Sequence, residues 1–144
     1  MVLRELSPTV LAGGQVQAAD LPAIKAAGVT LLVNNRPDGE SPDQPEGEQI
    51  AKSARELGIA YAAIPVGAGF NRNQIRELGE LLTAHKGTAL IYCRSGTRST
   101  FLWALAQASA GEPVDRIVVA AEQAGFSLAP IRGALDALAA QAGG

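Results

Sequence analysis

Residues 89–99 read ALIYCRSGTRS, and the apolar run TFLWALAQASA follows at 100–110. A short continuous apolar run is typical of a strand buried on both faces. A longer run that is apolar on nearly every side is typical of an enclosed helix. The sequence therefore predicts a central strand that ends at Tyr92, a loop that begins at Cys93, and a helix in the middle of the domain.

Short apolar runs alternate with longer helical patterns on both sides of this unit. Further strands are predicted at residues 10–13, 30–34 and 59–66. Helices are predicted to begin at Asp20 (as N-cap), Glu46, Asn71 (with a capping box to Gln74), Pro113 and Pro130. The alternation of the two patterns predicts an α/β domain.

Length and charge limit the classes of function. The 144 residues suit one compact domain, predicted over 1–144. The 12 basic and 14 acidic residues give a net charge of -2 with no long run of either sign, which argues against a nucleic-acid partner. No segment approaches the roughly 18–20 apolar residues needed to cross a bilayer, and the N-terminus lacks a signal-peptide pattern. We therefore expect a cytoplasmic protein with no membrane contact.

The single cysteine has two interpretations. With one cysteine and one histidine, we expect no disulfide, no metal site and no cofactor. Cys93 is then either a small buried packing residue or a reactive thiol. Packing alone does not require two arginines, a glycine and several hydroxyl groups within the next six residues. The composition of the loop therefore favours a reactive thiol.

The residues after Cys93 suit a loop that binds an anion. Backbone N–H groups and the positive end of a helix dipole favour the thiolate and can lower a cysteine pKa to roughly 3.5–7.5. Gly96 permits a positive φ, so that the loop amides can turn inward, and Arg98 offers a planar charged fork. We predict Cys93 and Arg98 as catalytic residues, with an anion-binding set of Arg94, Ser95, Gly96, Thr97 and Ser99.

The Cys93 loop resembles the active-site loop of rhodanese-type sulfurtransferases and is similar to the phosphate loop of cysteine-dependent phosphatases. From about residue 4 to 110, the chain resembles a bacterial family of dual-specificity-phosphatase-like domains. These domains occur alone or fused to the metallo-hydrolase domain of beta-lactamase-hydrolase-like and persulfide dioxygenase proteins. Besides the loop, the matching segments are GGQ at 13–15, LVNNRPDGE at 32–40, GIAY at 58–61, IPV at 64–66 and LWA at 102–104.

The resemblance implies a phosphatase-like three-layer fold. Its sheet would have four or five mainly parallel strands flanked by helices, with the Cys loop between a strand and a helix. The resemblance also suggests a functional link to a metallo-hydrolase or persulfide dioxygenase.

Sulfur and phosphate chemistry are both open for such a loop. Phosphatases of this type carry one residue more between cysteine and arginine, so that Ser99 stands in the position of their arginine. Residues 67–73, where related folds carry a general acid, contain no carboxylate, and Tyr92 stands where phosphatases often have histidine. These departures favour a sulfurtransferase that carries sulfane sulfur as a persulfide on Cys93. Its donor would be a small anion, thiosulfate or a persulfide, and its acceptor a thiol.

Two alternatives are a cysteine-dependent phosphatase of the tyrosine or dual-specificity type and a non-catalytic oxyanion-binding module. Arg36, Asp38 and Glu40 follow the strand at 30–34, whose carboxyl end should lie at the same edge of the sheet as Cys93. Arg36 and Asp38 are therefore candidate anion-binding residues, and Asp38 or Glu40 could supply an acid. In the other interpretation Asp38 only forms a turn, and Arg36 pairs with a carboxylate of its own loop.

Overall fold

A computed structural model describes residues 1–143 and contains one five-stranded sheet. The strands are β1 (Arg4–Ser7), β2 (Val10–Gly13), β3 (Val29–Asn34), β4 (Ala60–Ala63) and β5 (Thr88–Tyr92). Their order across the sheet is β1-β2-β5-β3-β4. The last four pair in parallel, whereas β1 pairs with β2 in the antiparallel sense. The expected mainly parallel sheet is confirmed, and β5 lies at its centre.

Helices cover both faces of the sheet and complete three layers. They are α1 (Leu21–Ala26), α2 (Gly47–Glu56), α3 (Arg72–Ala84), α4 (Thr97–Ser109), α5 (Val114–Gln123) and α6 (Arg132–Gly143). Short 3-10 turns precede α1 at Ala18–Asp20 and α6 at Ala129–Ile131. None of the helices within residues 1–143 is both long enough and apolar enough to span a bilayer.

Alternate residues of β5 face the two outer layers. Leu90 and Tyr92 pack in one cluster with residues of α1 and α2, whereas Ala89 and Ile91 pack in the other with α3, α4, α5 and α6. This follows from the two-residue repeat of a strand, and it explains why the whole β5 sequence is apolar. Helix α4 contacts α3, α5 and α6, which confirms the enclosed helix predicted after the Cys93 loop.

The first strand was not predicted from the sequence. In β1 only Leu6 is buried, and the strand lies at the edge of the sheet, paired on one side alone. Such a strand lacks the apolar run that reveals a central strand. The strand predicted at 59–66 is shorter, because β4 ends at Ala63. The N–H groups of Ile64 and Val66 then donate to the carbonyls of Asn34, the last residue of β3, and of Asn35.

The structure confirms one of two predicted helix caps and corrects the other. The capping box at the start of α3 is confirmed, with reciprocal bonds of 2.9 and 2.8 Å between Asn71 and Gln74. Asp20 does precede α1, but its carboxylate accepts the N–H of Gln17 at 2.8 Å. The predicted capping of α1 by the Asp20 side chain is therefore wrong, because the carboxylate stabilises the 3-10 turn before the helix.

The C-terminal helix α6 provides a test of the prediction that residues 1–144 form a single domain. Gly144 itself lies outside the described residues. Leu135 of α6 is fully buried in the same cluster as α4. We expect Leu135→Ala to lower the free energy of unfolding by about 2–5 kcal/mol, because a buried leucine leaves a cavity. Urea denaturation followed by circular dichroism should show one transition at a lower midpoint.

The matched control is Val119→Ala on α5, since Val119 is half exposed. It should change the free energy of unfolding by less than about 0.5 kcal/mol. Two separate transitions in the wild-type protein would contradict the single-domain prediction.

Candidate active site

Cys93 lies directly after β5, at the carboxyl edge of the sheet, and is fully buried. Its N–H donates to the carbonyl of Gly13 at 3.3 Å, which extends the pairing of β5 with β2 by one residue. Its sulfur accepts the N–H of Gly96 at 3.1 Å. Because α4 begins at Thr97, the sulfur lies next to the N-terminus of a helix, where the helix dipole favours a negative charge.

Gly96 gives the loop its tight turn. Its φ is +90°, and a Cβ at this position would lie 3.1 Å from the Phe126 ring and 3.4 Å from the Gly13 carbonyl oxygen. The N–H of Thr100 makes the first backbone bond of α4, to the carbonyl of Gly96. The N–H groups of residues 97–99 therefore precede the helical ladder, as expected for an anion-binding helix start.

Residues after β2 support the loop from behind. Gly14 lies so close that a Cβ there would be 3.1 Å from the carbonyl oxygen of Arg94. The N–H of Gln15 donates to that same oxygen at 3.3 Å. The segment GGQ at 13–15 is thus a backbone support for the Cys93 loop.

Arg98 is held by groups from two other loops. Its Nη1 donates to Oε2 of Glu40 at 2.7 Å and to the carbonyl of Val66 at 2.7 Å, and its Nη2 donates to Oε1 of Glu40 at 2.8 Å. The hydrogen bonds to Glu40 are the main cause of a raised Arg98 pKa, which partial burial opposes and contact with Cys93 raises further. Within the described residues, the hydrogen bonds of the guanidinium go to Glu40 and Val66, which fix it from the loops after β3 and β4.

Glu40 carries a fixed negative charge between two arginines. Its Oε1 also accepts a hydrogen bond from Nε of Arg36 at 3.1 Å. Hydrogen bonding from Arg98 lowers the pKa of Glu40 most, partial burial opposes the shift, and Arg36 lowers it further. The pKa falls from its ordinary value of 4.5 to about 2. At neutral pH Glu40 is ionised and has no proton to give to a leaving group.

Residues 2–110 match the sequence profile of the family described as "Beta-lactamase hydrolase-like protein, phosphatase-like domain". The chain belongs to this family. A beta-lactamase hydrolase-like protein of Agrobacterium fabrum is 35% identical over 99 residues, which are 68% of this chain and 23% of that protein. One of Xylella fastidiosa is 30% identical over 108 residues, 74% of this chain and 25% of that protein. The chain thus spans about a quarter of the length of these relatives.

Solved structures show the same fold over the whole domain. A protein of Neisseria meningitidis described as a putative phosphatase superposes with a TM-score of 0.85 at 31% identity, covering 96% of this chain and 99% of that one. Tk-PTP in its active form gives a TM-score of 0.75 at 15% identity, covering 96% and 97%. The phosphatase-like three-layer fold is confirmed. These relatives support the phosphatase alternative, and they give no support to the sulfurtransferase expectation.

In this phosphatase-like domain Arg36 is buried, with 5% of its side chain exposed. Besides Glu40, it donates from Nη1 to Gln15 at 3.0 Å and from Nη2 to Ser41 at 3.2 Å. All three of its nitrogens therefore have protein acceptors. This agrees with the interpretation that Arg36 pairs with a carboxylate of its own loop, and the predicted direct contact of Arg36 with an anion stays a prediction.

Asp38 has a partner away from the Cys93 loop. Its Oδ1 accepts the N–H of Gly47, the first residue of α2, at 2.9 Å. Within the described part of the chain, Asp38 makes no hydrogen bond or ion pair with Cys93 or Arg98. The structure thus places Asp38 at a helix start, where a carboxylate interacts favourably with the dipole, and the predicted anion contact of Asp38 stays a prediction.

The remaining predicted residues divide by exposure. Arg94, Ser95 and Thr97 are exposed, and the Ser95 hydroxyl donates to that of Thr97 at 3.2 Å. Ser99 is buried and donates to Oδ1 of Asn35 at 2.7 Å. The Ser99 hydroxyl thus ties α4 to the loop after β3. The predicted anion contacts of all four residues stay predictions.

Sequence reasoning did not single out Asn35. This fully buried side chain also donates from Nδ2 to the carbonyl of Ile64 at 2.9 Å, and its backbone N–H donates to Tyr92 at 2.7 Å. It joins the end of β5, the start of α4 and the segment after β4. A buried amide group needs hydrogen-bond partners, so the two asparagines at the end of an apolar strand were the sequence feature that could have indicated this role.

The Gly96 turn predicts a difference between two alanine substitutions. Gly96 and Gly111 have φ values of +90° and +92°, but a Cβ at Gly111 would meet nothing within 4 Å. Gly111→Ala should lower the free energy of unfolding by about 1–2 kcal/mol through backbone strain. Gly96→Ala should lower the free energy of unfolding by about 1–3 kcal/mol more than Gly111→Ala, because its methyl group also crowds Phe126 and Gly13. Equal losses in urea denaturation would contradict this contact.

The lowered pKa of Glu40 predicts a pH-dependent contribution to stability. Because the folded-state pKa lies below the unfolded value, the stabilisation is fully present above about pH 4.5 and is lost as the pH falls towards 2. The stability difference between wild type and Glu40→Gln should therefore shrink from about pH 5 to about pH 3 in urea titrations. Glu48→Gln, which breaks an exposed pair with Arg55, is the control and should give little difference at any pH. A difference for Glu40→Gln that is constant with pH would contradict the expectation.

Proposed function

We propose that this domain hydrolyses phosphate monoesters through a phosphocysteine on Cys93. The observation that carries the proposal is the placement of the sulfur, 3.1 Å from the Gly96 N–H at the start of α4, whose second residue is Arg98. The thiolate would attack phosphorus as the bond to the leaving oxygen breaks. Water would then displace the thiolate, releasing inorganic phosphate and restoring Cys93.

The loop offers donors for a phosphoryl group in spite of its short spacing. Arg98 is the second residue of α4, which begins four residues after Cys93, so the arginine lies on the first turn of the helix that follows the loop. The loop amides and the Arg98 guanidinium would donate to the non-bridging oxygens, whose charge they stabilise. Ser99, which stands where related phosphatases have arginine, is buried against Asn35. The short spacing therefore carries less weight against phosphate chemistry than the sequence alone suggested.

Leaving-group protonation limits the substrate class. Glu40 is paired with two arginines, and its pKa of about 2 leaves it without a proton to donate. Asp38 accepts the N–H at the start of α2, and residues 67–73 contain no carboxylate. General acid catalysis contributes roughly 10²–10⁴-fold when a placed acid protonates the leaving group. Without it, an aryloxide leaves far more readily than an alkoxide. We therefore propose aryl phosphates, such as a phosphorylated tyrosine side chain, as the substrates.

A second candidate is the transfer of sulfane sulfur, favoured by the four-residue spacing between Cys93 and Arg98. The thiolate would attack the outer sulfur of thiosulfate and release sulfite, or take sulfur from a persulfide. The Cys93 persulfide would pass that sulfur to a thiol acceptor. We propose a cytoplasmic setting for either chemistry, since a free thiol persists there, and a functional link to a metallo-hydrolase or persulfide dioxygenase for the second.

Turnover by wild type and Cys93→Ser distinguishes these activities. We expect wild type to release phosphate from p-nitrophenyl phosphate and to act on O-phosphoserine at least about 10²-fold more slowly, because an alkoxide needs an acid. Cys93→Ser should release none from either compound. Phosphate release and the intact mass of the protein after exposure to thiosulfate are the two measurements.

Other results of these two measurements would support sulfur transfer or oxyanion binding instead. Gain of one sulfur on Cys93 without phosphate release would contradict the phosphatase proposal and favour sulfur transfer. Phosphate binding without phosphate release and without sulfur gain would indicate a non-catalytic oxyanion-binding module. Equal rates on the aryl and alkyl esters would contradict the absence of a general acid.

A further inference from the structure

The orientation of Arg98 follows from a count of its N–H groups. A guanidinium has five such groups in a fixed plane. Glu40 and the Val66 carbonyl accept hydrogen bonds from both N–H groups of Nη1 and from one of Nη2. Two remain, one on Nε and one on Nη2. By covalent geometry they lie parallel along one edge of the plane, a fork that matches two oxygens of a tetrahedral anion.

Glu40 is itself held in place. Its Oε1 accepts hydrogen bonds from both Arg36 and Arg98, at 3.1 and 2.8 Å. Arg36 is buried, and its other nitrogens bind Gln15 and Ser41, so it has little freedom to move. A buried arginine with a hydrogen bond from each of its three nitrogens on one side, and Arg98 on the other, leave the carboxylate a single favourable position.

We infer that Glu40, fixed by Arg36, is a positioning residue that turns the free edge of Arg98 towards the oxyanion bound at Cys93. Glu40 binds the end of the guanidinium and leaves its side edge open, so its carboxylate does not fill the anion site. The inference rests on the proposed function only in that an oxyanion is the group that the free edge of Arg98 binds. It assigns Arg36 an indirect role, through Glu40, in place of direct anion binding.

Oxyanion binding gives the first test. In Glu40→Ala, Arg98 loses two of its three protein contacts, so we expect the affinity for inorganic phosphate, measured by calorimetry, to fall about 10–100-fold. Glu48→Ala is the matched control, because it removes a carboxylate from an exposed pair with Arg55 on α2 and should leave phosphate affinity unchanged. A higher affinity in Glu40→Ala would show that Glu40 blocks the anion site and would overturn the inference. An unchanged affinity would overturn it as well.

The reactivity of Cys93 gives a second test that does not depend on turnover. Removing a negative charge near the sulfur would by itself lower the pH at which iodoacetamide alkylates Cys93. If Glu40 positions Arg98, the released arginine moves away and that pH rises instead. The sign of the shift in Glu40→Ala therefore separates positioning from a simple charge effect.

Two further variants keep the inference testable. Should Glu40→Ala fail to fold, Arg36→Lys keeps the charge but cannot make the same set of bonds, and it should also weaken phosphate binding and raise the alkylation midpoint. Glu40→Gln retains the shape of the side chain and should fall between wild type and Glu40→Ala. If wild type neither binds phosphate nor hydrolyses esters, the proposed function fails, while the direction of the alkylation shift still decides the role of Glu40.

Discussion

The central position of β5 is the constraint on which the site depends. Hydrogen bonding to β2 on one side and β3 on the other brings the loops after all three strands to one edge of the sheet. Cys93 directly follows β5 at this edge. The glycines after β2 support the backbone of its loop, while Asn35 and Glu40 after β3 bind its side chains. Each contact requires this order of strands.

The charges at this edge form an ordered series. Arg36 is buried, Glu40 pairs with it, and Arg98 on the first turn of α4 pairs with the same carboxylate. A buried arginine needs acceptors, and Glu40 and Ser41 after β3 supply two of them while Gln15 after β2 supplies the third. The carboxylate neutralises one of the two arginines, so one net positive charge remains in this cluster. This charge favours an incoming anion.

Local patterns predicted most of the fold and part of the site. The apolar run of β5 and the enclosed α4 were evident from composition, and the glycine and arginine that follow Cys93 indicated an anion-binding loop. The edge strand β1 was missed because it buries only Leu6. The side chain of Asp20 was assigned to the wrong turn, since a carboxylate can satisfy either of two adjacent backbone segments. Such choices depend on neighbours that a local pattern does not contain.

The sequence by itself determined the α/β order of elements, the position of the one cysteine between strand and helix, and the residue types of its loop. The tertiary structure alone decided which carboxylate Arg98 binds and what Asp38 and Asn35 do. Glu40 and Arg98 are 58 residues apart and meet because β3 and β5 are adjacent. Spacing along the chain also argued against a phosphatase, whereas the fold and the relatives are phosphatase-like. Distances between loops are set by strand pairing, which no single segment encodes.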